Sequence, residues 1–344
     1  MSKRFNSAAT ARPADAPLDY SAILNPLGTP VQIVRAVKVA AADVSDYPDA
    51  RCAKVVEALA AQEDVPADQV VVTAGATDAF IRIAAALRPH KALICTPSYV
   101  GYERGLRQIH AKVVHHSLVA REDFAVTDRI LDYIEPDIDM MILSSPNNPT
   151  GRVIPRELLC KVLRTASRWG TWVVVDESFI QFTQEHSAAT LLDRYPQLIV
   201  VKSFTAPFAM AGLRVGWCLC GTRDVADRIQ EVGMPWVVSA PAQAAALAAL
   251  DVPGYLDLTR DYVTEERERL QAALKKAGML VIPSDANFVL FQGPAGLYER
   301  MLGQGVRMHP CDDYRGLDAS WFRVAVRTAE DNGRFIAALG KATK

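Results

Sequence analysis

The chain has 344 residues, 38 Lys plus Arg against 39 Asp plus Glu, 50% hydrophobic residues and a mean hydropathy of +0.06, a balance that excludes a disordered tail and fits a folded, water-soluble protein. A formal charge of −1 leaves no bulk positive field to gather DNA or RNA, so nucleic acid is not an expected partner. At this length a chain buries roughly 75% of its extended surface, enough for one large core with a smaller second domain and an enzyme-sized cleft.

The start, Met1 to Asp19, mixes Lys3, Arg4, Arg12 and Asp15 with two prolines and holds no apolar run that would serve a secretory leader. No stretch approaches the ~20 uninterrupted apolar residues of a membrane helix; even Ala240 to Leu250 is short and contains Gln243. A cytoplasmic location without a membrane partner is therefore expected. Short apolar runs at Gln69 to Thr73, Ala92 to Thr96, Met140 to Ser144, Trp172 to Val175, Leu198 to Val201 and Val215 to Cys220 read as buried strands. Between the first two, Phe80, Ile83, Ala84 and Leu87 follow the spacing of one buried helical face. Strand, helix, strand implies a parallel sheet covered by helices. Beyond Pro241 one long amphipathic helical region runs through Lys276, followed by Met279 to Ile282, Asn287 to Phe291 and Trp321 to Val326. The expected fold class is α/β: a three-layer α/β/α large domain with a mostly parallel sheet, over residues 41–245, and a smaller α+β domain over 246–344. An N-terminal segment, residues 1–40, packs with the small domain.

Six cysteines, at 52, 95, 160, 218, 220 and 311, are too sparse for a disulfide framework. Cys218 and Cys220 lie two apart on a strand and point to one face; buried free thiols are expected. His115 and His116 are adjacent and the other histidines scattered, with no metal-ligand spacing, so no metal is expected. There is no GxSxG elbow, GxGxxG fingerprint or Walker A loop.

Asp176 closes an intensely apolar strand, at the sheet edge where open α/β sheets bind ligands. A carboxylate there can pair with a ring nitrogen, a metal or a base, or cap the following helix. Ser144-Ser-Pro-Asn-Asn-Pro-Thr-Gly151 follows another strand and forms an ordered turn in which Asn147 or Asn148 can present an amide. Gly75-Ala-Thr77, between strand and helix, can cradle a phosphate with backbone N–H groups and a hydroxyl. Ser203, Thr205 and Arg214 add hydroxyls and a guanidinium to the same kind of site.

These loops, with Asp19 to Gly28, Pro146-Asn-Asn-Pro-Thr-Gly151, Asp176-Glu-Ser-Phe179 and Phe322-Arg-Val-Ala-Val-Arg-Thr328, resemble a fold-type I pyridoxal phosphate enzyme of the aspartate aminotransferase superfamily over nearly the whole chain. Within it they resemble threonine-phosphate decarboxylase more closely than histidinol-phosphate aminotransferase. The resemblance implies that Asp176 pairs with the protonated pyridine nitrogen, Asn148 donates to the phenolic oxygen and Tyr99 stacks on the ring. It further implies that Ala76, Thr77, Ser203 and Arg214 hold the phosphate, and that Tyr47 reaches the phosphate of a partner subunit's cofactor in a homodimer with shared sites. Arg323 then clamps the α-carboxylate of a small anionic amino-acid substrate, and Arg327 assists a second anionic group. The implied reaction releases carbon dioxide from L-threonine O-3-phosphate and forms aminopropanol phosphate, a step toward cobalamin.

One position departs. In Ser203-Phe-Thr-Ala-Pro-Phe-Ala-Met-Ala-Gly-Leu-Arg214 the lysine that the resemblance leads one to expect is Ala206, which has no amine for a Schiff base. Pyridoxal 5′-phosphate is then expected without a covalent tie to the protein, trapped as an external aldimine with the substrate. Ala206 is either a substitution in a lysine-bearing parent or the mark of a natural relative outside the standard cycle. Ile23 and Cys311-Asp-Asp-Tyr314 also differ from the decarboxylase pattern. An aminotransferase acting on histidinol phosphate, and a non-catalytic ligand-binding or regulatory protein, stand as alternatives.

Overall fold

The computed structural model describes residues 17–343; residues 1–16, which carry most of the expectation about a leader, lie outside them. The first part of the chain runs β1 (Leu18–Asp19), α1 (Val31–Ala41), α2 (Ala53–Glu63), β2 (Val70–Thr73), α3 (Ala76–Leu87), β3 (Lys91–Thr96), α4 (Gly101–Gln108), β4 (Lys112–Ser117) and β5 (Met140–Ser144). It continues through α5 (Arg156–Trp169), β6 (Trp172–Asp176), β7 (Leu198–Ser203), β8 (Gly216–Cys220), α6 (Arg223–Glu231) and α7 (Ala240–Leu250). The rest is α8 (Tyr255–Lys276), β9 (Leu280–Val281), β10 (Phe288–Gln292), α9 (Leu297–Gly303), β11 (Val306–Arg307), β12 (His309–Pro310), β13 (Trp321–Ala325) and α10 (Ala329–Ala342).

A seven-stranded sheet in the order β2-β8-β7-β6-β5-β3-β4 forms the large core. From β7 to β4 neighbouring strands are parallel, and β8 is antiparallel to both of its neighbours. Alternation along each strand sorts the side chains into two layers. Val173, Val175, Leu198, Val200 and Leu219 pack with Leu159 and Val162 of α5 and Ala242 and Ala245 of α7. Val174, Ile199, Val201, Cys218 and Cys220 pack on the other face with Phe80 and Ile83 of α3 and Val225 and Ile229 of α6. Both faces are covered, which is why these strands read as unbroken apolar runs. All six cysteines are free, and among the described residues no helix is long and apolar enough to cross a membrane.

The smaller sheet, β12-β13-β10-β9, is antiparallel. It buries Phe288, Phe291 and Val324 against Val263, Leu270 and Leu274 of α8 and Phe335 and Leu339 of α10. The N-terminal segment divides its contacts. β1 pairs with β11 and the Tyr20 hydroxyl donates to Asn332 Oδ1 at 3.0 Å, whereas α1 lies along α7.

Two expectations about elements change. The helical region expected from Pro241 to Lys276 is two helices, because Pro253 offers no N–H to continue α7 and Gly254 takes a left-handed φ of 72° before α8. The polar strand β4 gave no apolar run: it sits at the sheet edge beside β3, with Lys112 and Ser117 exposed.

Candidate active site

Strands β2, β3, β5, β6 and β7 end, and the antiparallel β8 begins, at one edge of the large sheet. A cavity of about 230 Å³ lies there, lined by Ala76, Thr77, Tyr99, Asn148, Asp176, Ser203, Ala206 and Arg214, with Ile23, Leu24 and Phe179 among the other wall residues. For scale, a closed apolar cavity of about 150 Å³ accepts benzene.

One end is an anion cup. Helix α3 starts at Ala76 after Gly75, with no side-chain cap on its first N–H groups, and such groups have no acceptor within the helix. A Cβ on Gly75 would lie 2.8 Å from Nη2 of Arg214, so glycine lets the guanidinium lie over the turn. A Cβ on Gly216 would lie 2.8 Å from the Lys202 carbonyl and 3.1 Å from the Ala76 nitrogen, so β8 must be bare there for the turn to close. Arg214 Nη1 donates to the Ala211 carbonyl at 3.1 Å, Ser203 Oγ accepts the Thr205 N–H at 3.1 Å, and the Thr77 and Tyr99 hydroxyls lie 3.2 Å apart.

The other wall carries Asp176, buried at the end of β6. Burial pushes its carboxyl up from the usual range, opposed by hydrogen bonds from Ser178 and Tyr102. Ser178 N–H donates to Oδ1 at 2.9 Å and the Tyr102 hydroxyl to Oδ2 at 2.6 Å. A buried carboxylate that accepts only neutral donors invites a cationic N–H.

Asn147 and Asn148 separate cleanly. Asn147 Nδ2 donates to the Pro97 carbonyl at 2.9 Å and to Thr150 Oγ1 at 3.0 Å, bracing the loops after β3 and β5. Asn148 lines the cavity and its Oδ1 accepts from Arg323 and from the Tyr314 hydroxyl, the latter at 3.2 Å. Because arginine has only donors, the atom facing Arg323 is the carbonyl oxygen, which leaves the Asn148 NH₂ free to donate elsewhere. Arg323 is itself buried, 6% exposed. Nη1 donates to Tyr314 at 2.9 Å and Nη2 to the Ser21 carbonyl at 3.1 Å, while Nε has no acceptor among the described residues.

Ala206 is 4% exposed, and its backbone is strapped from the N-terminal segment. Asn25 N–H donates to the Ala206 carbonyl at 3.0 Å, Asn25 Nδ2 to the Pro207 carbonyl at 2.7 Å and Thr29 Oγ1 to the Ala209 carbonyl at 2.9 Å. Lys202 cannot stand in for a lysine here. Its amine is held by Glu63 at 2.5 Å and Glu177 at 3.7 Å and does not line the cavity.

Arg327 and Tyr47 lie away from the cavity wall. Arg327 Nε donates to Asp331 at 2.9 Å, Nη1 donates to the Asp19 carbonyl at 3.0 Å, and the guanidinium lies over the Tyr20 ring. Tyr47 is 81% exposed and packs against Trp236, with ring centroids 5.0 Å apart. Tyr102 was missed by sequence reasoning because a tyrosine on an apolar helical face reads as core. Tyr314 was visible only as part of a departure from a pattern.

Residues 25–339 match the family described as Aminotransferase class I and II. The chain belongs to that family. Threonine-phosphate decarboxylase of Salmonella typhimurium is 34% identical over 94% of this chain and 90% of its own length. Histidinol-phosphate aminotransferase of Methanothermobacter thermautotrophicus is 30% identical over 92% of this chain and 86% of its own. The crystal structure of histidinol-phosphate aminotransferase from Clostridium acetobutylicum superposes with a TM-score of 0.88 at 28% identity, over 95% of this chain and 99% of that one.

Class I and II aminotransferases use pyridoxal 5′-phosphate, and the residues present fit it: an uncapped helix start with a guanidinium for the phosphate and a buried carboxylate for the ring nitrogen.

Proposed function

We propose that this chain is a pyridoxal phosphate enzyme of the threonine-phosphate decarboxylase type. In a lysine-bearing parent it takes L-threonine O-3-phosphate to aminopropanol phosphate and carbon dioxide, a cobalamin-precursor reaction; this chain is a lysine-free, catalytically impaired form. The observation that carries the reading is Arg323, a buried guanidinium beside Asn148 of the cavity wall, whose Nε has no acceptor among the described residues. Such a group calls for a planar anion, and a substrate carboxylate matches its fork.

When bound, the cofactor supplies an electron sink for a bond breaking at the substrate α-carbon. Asp176 would keep a proton on its ring nitrogen, the Asn148 NH₂ would donate to its phenolic oxygen, Tyr99 would cover its ring, and Ala76, Thr77, Ser203 and Arg214 would hold its phosphate. Arg323 orients the α-carboxylate, and that orientation selects between loss of carbon dioxide and loss of the α-proton. Ala206 has no group to move a proton to or from the α-carbon, and removing such a group costs typically 10²- to 10⁴-fold.

The shared-site homodimer belongs to the same reading. Val39, Val44, Tyr47, Met234 and Trp236 are among the exposed apolar side chains, and the packing of Tyr47 on Trp236 supports an apolar contact surface on this side. Tyr47 in this arrangement serves the partner's phosphate.

The deciding experiment is Ala206→Lys, loaded with cofactor and given L-threonine O-3-phosphate, with carbon dioxide and amino transfer measured together. Carbon dioxide release roughly 10²- to 10⁴-fold above the unaltered chain is the expected result. Rapid transfer to a keto acid without carbon dioxide replaces the reading with the aminotransferase one, which the histidinol-phosphate aminotransferase relatives favour. Ligand binding with neither reaction replaces it with a binding or regulatory role.

A further inference from the structure

Tyr102 is the second residue of α4 and is 2% exposed. Its ring belongs to the apolar layer that also holds Phe80, Ile83, Ile94 and Leu106. It meets Phe80 edge-on with centroids 4.7 Å apart and Tyr99 edge-on at 5.5 Å. None of that packing uses the hydroxyl, and a phenylalanine would fill the same volume. A hydroxyl in an apolar layer is costly unless it is bonded, and this one donates to Asp176 Oδ2 at 2.6 Å. Among the described residues, Asp176 has no cation as a hydrogen-bond donor and leans on Tyr102 and Ser178. Burial and the adjacent Asp176 charge keep the phenol protonated, well above its usual range, so it acts as a donor at any ordinary pH.

We infer that Tyr102 is a positioning residue for Asp176, its hydroxyl fixing the carboxylate in the setting from which it pairs with the protonated nitrogen of the cofactor ring. The inference rests on the assignment of Asp176 to that nitrogen. It also ties two contacts of the ring together: Tyr102 touches Tyr99, which covers the ring, and Asp176, which meets its edge. Ser144 lies opposite Asp176 in the sheet register, so the carboxylate that Tyr102 meets is borne on a paired strand end.

The test compares the full chain with Tyr102→Phe, measuring dissociation constants for pyridoxal phosphate and for its 1-deaza analogue, whose ring has carbon in place of the nitrogen. The variant is expected to bind pyridoxal phosphate about tenfold more weakly, the lower end of what a hydrogen bond to a charged group contributes, with the deaza analogue nearly unaffected. The acid limb of pyridoxal phosphate binding should also move to higher pH, because the lost hydrogen bond is one that lowers the Asp176 carboxyl. Equal weakening for both ligands, or none for either, overturns the inference and leaves Tyr102 a packing residue. Equal binding of both ligands by the unaltered chain overturns the assignment of Asp176 itself, a distinguishable result. If Tyr102→Phe melts too low to titrate, Tyr102→His keeps a donor in place: retained preference for pyridoxal phosphate supports the inference, and lost preference overturns it.

Discussion

The anion cup at Gly75 to Thr77 lies in the cavity wall, the guanidinium of Arg323 stands behind that wall and meets it through Asn148, and the two are assembled differently. The cup comes from a single sheet edge, where the Ser203 to Gly216 pairing brings the two sides of the turn so close that a Cβ on Gly216 would lie 2.8 Å from the Lys202 carbonyl. Arg323 lies on the smaller sheet and is held by Ser21 from the N-terminal segment, Asn148 from the loop after β5 and Tyr314 from the loop before its own strand. On the function proposed above, a cofactor site built on register should tolerate little and change little, and a substrate site spread over separate segments should be open to retuning without disturbing the cup.

Removing Arg323 should break this contrast most sharply. Arg323→Ala is expected to weaken a carboxylate substrate analogue on the order of a hundredfold, the loss of a bidentate charge-assisted pair, while pyridoxal phosphate affinity stays nearly unchanged by calorimetry. Gly216→Ala should do the reverse. Its Cβ would sit 2.8 Å from the Lys202 carbonyl and 3.1 Å from the Ala76 nitrogen, so cofactor affinity falls and chemical unfolding registers a loss of roughly 1–3 kcal/mol.

Tyr314→Phe removes one acceptor from Arg323 and should weaken the carboxylate ligand by about tenfold. Burial pushes the Tyr314 phenol up to about 12, so in the unaltered chain the bond it donates to Asn148 Oδ1 should hold from neutral pH into the alkaline range. The smallest effect concerns His309, whose ring is held below its usual range by burial and then by the Arg323 charge. On acidification the unfolded chain takes up this proton first, near pH about 6.5, so stability falls as pH drops below that value and is present above it. His309→Asn should flatten that part of the decline in melting temperature.

The large sheet was legible because both of its faces are covered, which turns β5, β6 and β7 into apolar runs bounded by loops. Edge strand β4 was not, since one neighbour and partial exposure leave no periodic signal. The cavity wall was legible through resemblance more than through spacing: neighbouring Asn147 and Asn148 have the same chemistry, and only the fold turns one toward Pro97 and the other toward Arg323. Tyr102 and Tyr314 act through single hydroxyls, and an aromatic residue announces its ring in a sequence, not the partner of its oxygen. Arg327 sits in a suggestive motif, yet Asp331, one helical turn further on, takes its Nε.

The bonds from Asn25 and Thr29 to the carbonyls of residues 206, 207 and 209 have a bearing on any attempt to rebuild the chemistry. An amine grafted at residue 206 would inherit its aim from a tether anchored 182 positions upstream of Pro207. Its reach could therefore be adjusted by editing the tether, leaving every side chain of the cavity wall as it is.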